Sequence, residues 1–294
     1  MNSAISSPPL KDADVFPRYG SSLHYVLSIT PNAQRSSLKL WLQWWHETAC
    51  VPLNVNDPGV AETKLRWWQQ AVHDAAHGRT QHPLLKALLA DGAIAAPGRL
   101  PDWPIWQSQL DGLITLIHQT RWLDEASLQR HASMTTGAAC EGASCILGAP
   151  SDAARCAARQ IGLGVRLAHQ LARLGQDARA GWVNVAIDVL QQHQVRAHQL
   201  SKPAAAQVPE GWSGLVAHLH AQASGALQEG LAQRRHLPRD EAQALKPLVA
   251  LAHVHLQQID AVISQGDRIL HERIVLTPLR KWWISQRVRW GLLA

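Results

Sequence analysis

Apolar residues recur at spacings of three and four along nearly the whole chain, and no convincing run of alternating β-branched residues interrupts them. That periodicity belongs to helices that bury one stripe, whereas a half-buried strand needs a period of two. An all-α fold follows, with no strand. Helices are predicted over residues 36–50, 57–78, 104–121, 124–147, 151–179, 215–235, 240–264 and 278–290. The second of these has the clearest start. Asp57 is a good N-cap, Pro58 suits a first helical position where its missing N–H costs nothing, and Gly78 ends the run. The Ala, Pro and Gly of 95–101 and the prolines of 201–212 mark loops rather than domain boundaries, because composition is alike on both sides and no repeat separates them. Residues 1–294 therefore read as one domain, with 1–18 a flexible N-terminal segment and 268–294 a basic, Trp-rich C-terminal helix.

With 46% hydrophobic and 17% charged residues the chain can build a sizeable core and is not a disordered polyelectrolyte. No window approaches the roughly 18 to 20 apolar residues of a bilayer span, and the opening twenty positions lack the apolar block of a secretory leader. The four cysteines, Cys50, Cys140, Cys145 and Cys156, form no C-x-x-C pair. A cytoplasmic setting is expected, with no nucleic-acid partner.

The net charge of +6 is concentrated in the tail, where Arg268, Arg273, Arg280, Lys281, Arg287 and Arg289 face only Glu272. Trp282, Trp283 and Trp290 lie between these charges. Two readings are open. Leu279, Trp283 and Trp290 can form an apolar stripe packed on the body with the charges solvated, the commoner use of an amphipathic helix. Alternatively the tail lies against a protein partner or against anionic headgroups at the inner face of the membrane.

Candidate chemistry is sparse. His73 and His77 are four apart and share a helix face, as in helical zinc sites, but no third ligand accompanies them, and 16 histidines make such a pair easy to meet by chance. No Gly-rich phosphate loop and no G-x-S-x-G context occurs; Gly162 and Gly164, inside a helical run, suit close helix packing. The best-organised polar segment runs from 159 to 188, where Arg166, His169, Arg173 and Asp177 recur at helical spacings on one face. Such a stripe either meets solvent or lines a cavity, and its two arginines suit an anion such as diphosphate.

This segment resembles the second signature of the squalene/phytoene synthase family, aligning without gaps from Ile161–Gly162 through Leu167, Asp177 and Gly181 to Asp188. Other anchors agree in order. Ser21–Ser22 followed by Arg35 and the Leu40 to Glu47 run are similar to that family's opening Ser and first helix. Asp57–Pro58 with Lys64-Leu65-Arg66-Trp67-Trp68, then His82–Pro83, is similar to its E-P and K-L-x-W-W segment. Pro278-Leu279-Arg280-Lys281 resembles its closing helix. The resemblance implies a single-domain isoprenoid-synthase helical bundle with a central cavity. It also implies two D-x-x-x-D motifs whose carboxylates hold Mg²⁺ ions, which ionise prenyl diphosphates for head-to-head condensation.

The chain departs from that pattern at the motifs. The first falls on Ala49, Cys50 and Leu53; in the second the leading Asp is Arg173 and only Asp177 remains. A hard cation needs several oxygen ligands and is repelled by guanidinium, so no metal or other cofactor is expected. The favoured reading is a catalytically degenerate member that binds an isoprenoid-like lipid or a protein partner, as in the subgroup similar to the mitochondrial complex I assembly factor. The alternative is an active prenyltransferase in isoprenoid biosynthesis, the one case in which Mg²⁺ is expected, with arginines partly replacing it. In either case Ser22, Glu47, Arg166, His169, Arg173 and Asp177 are the candidate ligand-binding residues, with Arg173–Asp177 open to a second role as an internal ion pair.

Overall fold

The computed structural model describes residues 16–95, 100–119, 121–203 and 208–293. Among them the chain is helical and holds no strand. The expectation for 1–18 lies almost wholly outside the described residues.

In chain order the helices are α1 (Ser22–Ile29), α2 (Asn32–Ala49), α3 (Val51–Asn54), α4 (Pro58–Ala76), α5 (Pro83–Ala95), α6 (Trp103–His118), α7 (Glu125–Ala132) and α8 (Ala138–Leu147). They continue with α9 (Asp152–Ala172), α10 (Leu174–Arg179), α11 (Ile187–Gln192), α12 (Ala197–Ser201), α13 (Trp212–Arg235), α14 (Arg239–Ala244), α15 (Lys246–Gln265) and α16 (Pro278–Arg289). The α4 start is as read: Asp57 Oδ1 accepts a hydrogen bond from the Val60 N–H at 2.9 Å and Pro58 opens the helix.

Helix α9 is the centre of the bundle, packed on α8, α13 and α15. Its approach to α13 depends on missing side chains. A Cβ at Gly164 would lie 2.6 Å from Leu227 Cγ, and one at Gly230 would lie 2.7 Å from Ile161 Cγ1, so each helix offers the other a groove. On the other flank, α2 packs on α8 and α6 through a tryptophan cluster. Trp41, Trp44 and Trp106 meet at centroid distances of 4.5 to 5.0 Å, and Trp41 Nε1 donates to the Ala139 carbonyl at 2.8 Å. Trp41 and Trp44 are fully buried, and each supplies a large apolar area to this flank of the core.

Besides the run 240–264, which divides at Leu245 into α14 and α15, three predicted elements differ from the structure. The helix expected over 124–147 is interrupted by a π turn at Ser133–Gly137, which widens the backbone so that Thr136, Ala139, Cys140 and Ala143 turn to one interior wall. The helix expected over 151–179 breaks at Arg173 (φ −122°, ψ 7°), because α10 turns so that Gly175 presses against the Leu270 backbone, where no Cβ would fit. The third correction concerns the tail. Helix α16 packs through Lys281, Ile284, Ser285 and Val288, while Leu279, Trp283 and Trp290, the stripe expected to pack inward, are 73%, 49% and 58% exposed.

Candidate functional site

The bundle encloses a cavity of about 240 Å³ reached by seven segments. Its apolar wall comes from Val26 of α1, Leu38, Leu42 and Trp45 of α2, Ala139 and Ala143 of α8, Val165 of α9, and Leu248 and Leu251 of α15. Its polar wall comes from Ser21 and Ser22 of α1, Arg166 and His169 of α9, His255 and Gln258 of α15, Arg273 in the segment before α16, and Lys281 on the inner face of α16. No Asp or Glu is among the described lining residues.

Each polar group is positioned by its helix. Ser21 caps α1 by accepting from the His24 N–H, which places Ser22 in the first turn against the cavity. Arg166 and His169 are three apart on α9 and so share its inward face. Lys281 is 8% exposed and donates from Nζ to the Gly20 carbonyl at 3.1 Å, tying α16 to the start of α1. Gln258 Nε2 donates to the Ile274 carbonyl at 2.6 Å, which fixes the segment carrying Arg273 and Val275.

The electrostatics follow from an excess of cations. Burial lowers the Arg166 guanidinium pKa from its usual range, against a partly compensating pull from Asp177 and with a smaller push from Arg173. Burial and neighbouring arginine charge likewise depress Arg273 and Lys281. Burial pushes His255 down to about 4, with Lys281 and Arg273 adding to the effect, and holds His169 well below its ordinary value, so both imidazoles are neutral at pH 7. Arg166 Nε and His255 Nδ1 are shielded from solvent and have no hydrogen-bond partner among the described residues. Buried donors of this kind ordinarily find an acceptor.

Of the six candidate residues, the structure brings Ser22, Arg166 and His169 into the cavity, and Glu47, Arg173 and Asp177 do not line it. Glu47 instead accepts from Gln43 Nε2 at 2.9 Å along α2. The break at Arg173 takes the last two off the α9 face, and Arg173 Nε pairs with Asp177 Oδ1 at 2.9 Å while Asn184 Nδ2 donates to Asp177 Oδ2 at 3.3 Å. Sequence reasoning missed Arg273, Lys281, His255 and Gln258 as cavity residues. Lys281 carried a usable signal: it shares a face with Ile284 and Val288, and a cation on an apolar stripe needs a reason.

A Mg²⁺ cluster of the kind the family resemblance implies does not fit these residues. Ala49 and Cys50 end α2, Leu53 on α3 is 59% exposed, and the surviving Asp177 is occupied by Arg173 and Asn184. Among the described residues no group of three or more His, Cys, Asp and Glu side chains is placed to hold a metal ion. His73 and His77 close α4, with His77 Nδ1 against the His73 carbonyl at 2.8 Å and the His73 ring against those of His77 and Trp103.

The all-α bundle around a central cavity is the architecture of the isoprenoid-synthase folds. The squalene/phytoene synthase family model matches residues 16–280, and the chain belongs to that family. It is 27% identical over 232 residues to a phytoene synthase of Thermus thermophilus, with 76% of each chain covered. Its fold is similar to that of a dehydrosqualene synthase solved in complex with ligand (TM-score 0.73, 16% identity, 92% and 91% of the two chains covered). It is also similar to squalene synthase HpnC from Alicyclobacillus acidocaldarius (TM-score 0.72, 14% identity, 83% and 88% covered). YisP from Bacillus subtilis shares the fold at a TM-score of 0.63 and 19% identity, with 90% and 89% covered.

Proposed function

We propose that this member of the family is catalytically degenerate and binds an amphiphilic anion of the isoprenoid type, a prenyl diphosphate or a related lipid, without a metal cluster. The observation that carries the reading is the polar wall: Arg166, Arg273 and Lys281 converge with two neutral histidines, and no carboxylate faces the same space. A multiply charged headgroup is matched by guanidinium forks and an ammonium, and it supplies the acceptor that Arg166 Nε lacks. The chain of the ligand lies along Val26, Leu42, Val165 and Leu251.

The lining supports binding over condensation: ionising a prenyl diphosphate for head-to-head joining calls on metal ions held by several carboxylates, and none is among the described lining residues. The kinship with a phytoene synthase favours the second reading, an active prenyltransferase whose arginines hold the leaving diphosphate. Thermal denaturation separates the two. Farnesyl diphosphate is expected to raise the melting temperature equally in Mg²⁺ and in EDTA, and a stabilisation that requires Mg²⁺ would contradict the metal-free reading.

A further inference from the structure

The outward face of α16 is the reverse of an ordinary amphipathic helix. Its packed side holds Lys281 and Ser285 beside Ile284 and Val288, and the side turned to solvent holds Leu279, Trp283 and Trp290. Trp283 meets Trp282 and Trp290 at centroid distances of 6.2 and 6.0 Å, so the indoles form one patch rather than scattered exposures. Across a groove of about 500 Å³ stands α1, whose flank adds Tyr19 at 86% exposure. Arginines border the patch: Arg289 lies on the groove, Arg287 on the far side of the helix, and Arg280 is held by Gln257 of α15. Lys246 Nζ reaches the Arg289 carbonyl at the C-terminal end. No Asp or Glu occurs from Arg273 to the end of the chain.

We infer that this face docks on the surface of an anionic lipid bilayer, with α16 lying in the interface plane. Indoles suit that depth because their ring is apolar and their N–H is polar, and flanking arginines reach the phosphates. Charge selects this occupant over a second copy of the chain: a two-fold dimer through the same face would set Arg287 and Arg289 near their own equivalents with no carboxylate of that helix to offset them. Crossing is excluded for this segment, since none of the described helices is long and apolar enough to span a membrane. The inference also connects to the cavity. Lys281 and Val275 line it, the latter 50% exposed, so the segment that would rest on lipid is the one that borders the binding space.

The test is co-sedimentation of the full chain with vesicles of phosphatidylcholine alone and of phosphatidylcholine and phosphatidylglycerol in equal parts. The chain should bind the anionic vesicles, less so as salt rises, and bind the neutral ones weakly. Trp283→Ser with Trp290→Ser, and separately Arg287→Gln with Arg289→Gln, should each weaken binding by about tenfold or more at unchanged melting temperature. Trp67→Ser, an exposed indole on α4, should leave it unchanged. A wild-type chain that stays in solution with anionic vesicles, or double variants that bind as the wild type does, overturn the inference. So does a face that dimerises or retains an acidic protein while vesicles are ignored. None of these outcomes depends on whether the cavity binds a prenyl diphosphate.

Discussion

Arg173 Nε lies 2.9 Å from Asp177 Oδ1, so the two residues that the sequence resemblance sets against the family's second acidic motif neutralise one another. Both side chains are partly shielded, and Asn184 holds the other Asp177 oxygen. The pair sits at the break between α9 and α10, where it braces the turn instead of presenting oxygen to the cavity. Asp177→Asn is expected to cost on the order of 1 kcal/mol, a modest figure because the pair is partly solvated. Its melting temperature, like that of the wild type, should not change between Mg²⁺ and EDTA. A Mg²⁺ stabilisation present in the wild type and absent in the variant would show that Asp177 binds metal after all.

Arg166 is expected to serve binding at the expense of stability. Its charge is desolvated, which the pull of Asp177 offsets only in part, and its Nε has no partner among the described residues. Arg166→Met should leave the free protein as stable as the wild type or more so, and should abolish the stabilisation by farnesyl diphosphate. Calorimetric melts with and without ligand read both effects, and a variant that loses stability yet keeps the ligand shift would mean that the guanidinium is a structural strut.

The buried imidazoles predict a loss of stability in mild acid. Burial pushes His255 down to about 4 in the folded chain, against about 6.5 for an exposed imidazole in the unfolded one, so between those values the unfolded chain binds more protons. Stability from this group is complete above pH 6.5 and is lost as pH falls towards 4, by about 3 kcal/mol for His255 alone. His131, buried against Trp122 and pushed down to about 3, acts in the same direction. His255→Gln should flatten the decline of melting temperature across this window, and an unchanged slope would contradict the assignment.

Packing of α9 on α13 depends on Gly164, where a methyl group would enter the space of Leu227. Gly164→Ala is expected to destabilise by about 1 to 3 kcal/mol through overpacking, measured by urea denaturation. Pairing it with Leu227→Ala should recover part of the loss, because the two changes share one contact.

Much of this architecture was legible in the residues. The three-and-four spacing showed an all-α chain, Asp57 and Pro58 marked the start of α4, and Gly162 and Gly164 pointed to close helix contact. Arg166 and His169 were readable as cavity residues because they sit three apart on one continuous helix. What failed was extrapolation of that register past Arg173: a helical period cannot show where a tertiary contact such as Gly175 against Leu270 ends a helix. The tail failed for the opposite reason. Periodicity separates the faces of α16 but does not say which one meets the body, and hydrophobicity chooses wrongly when the interior side of the helix carries Lys281 to a polar cavity wall. His255, Arg273 and Lys281 meet Arg166 and His169 from far along the chain, and spacing within one helix holds no record of that.

The central claim is that a cationic, carboxylate-free cavity holds a prenyl diphosphate without consuming it. It is tested most directly by incubating the purified, folded chain with radiolabelled farnesyl and geranylgeranyl diphosphates, with and without Mg²⁺, and following released diphosphate and apolar product. Ligand recovered intact and bound to the wild type, but not to the Arg166→Met variant, is the predicted result. An apolar product that appears in the wild type and is lost on substitution of Arg173 would contradict it and make the chain a working prenyltransferase.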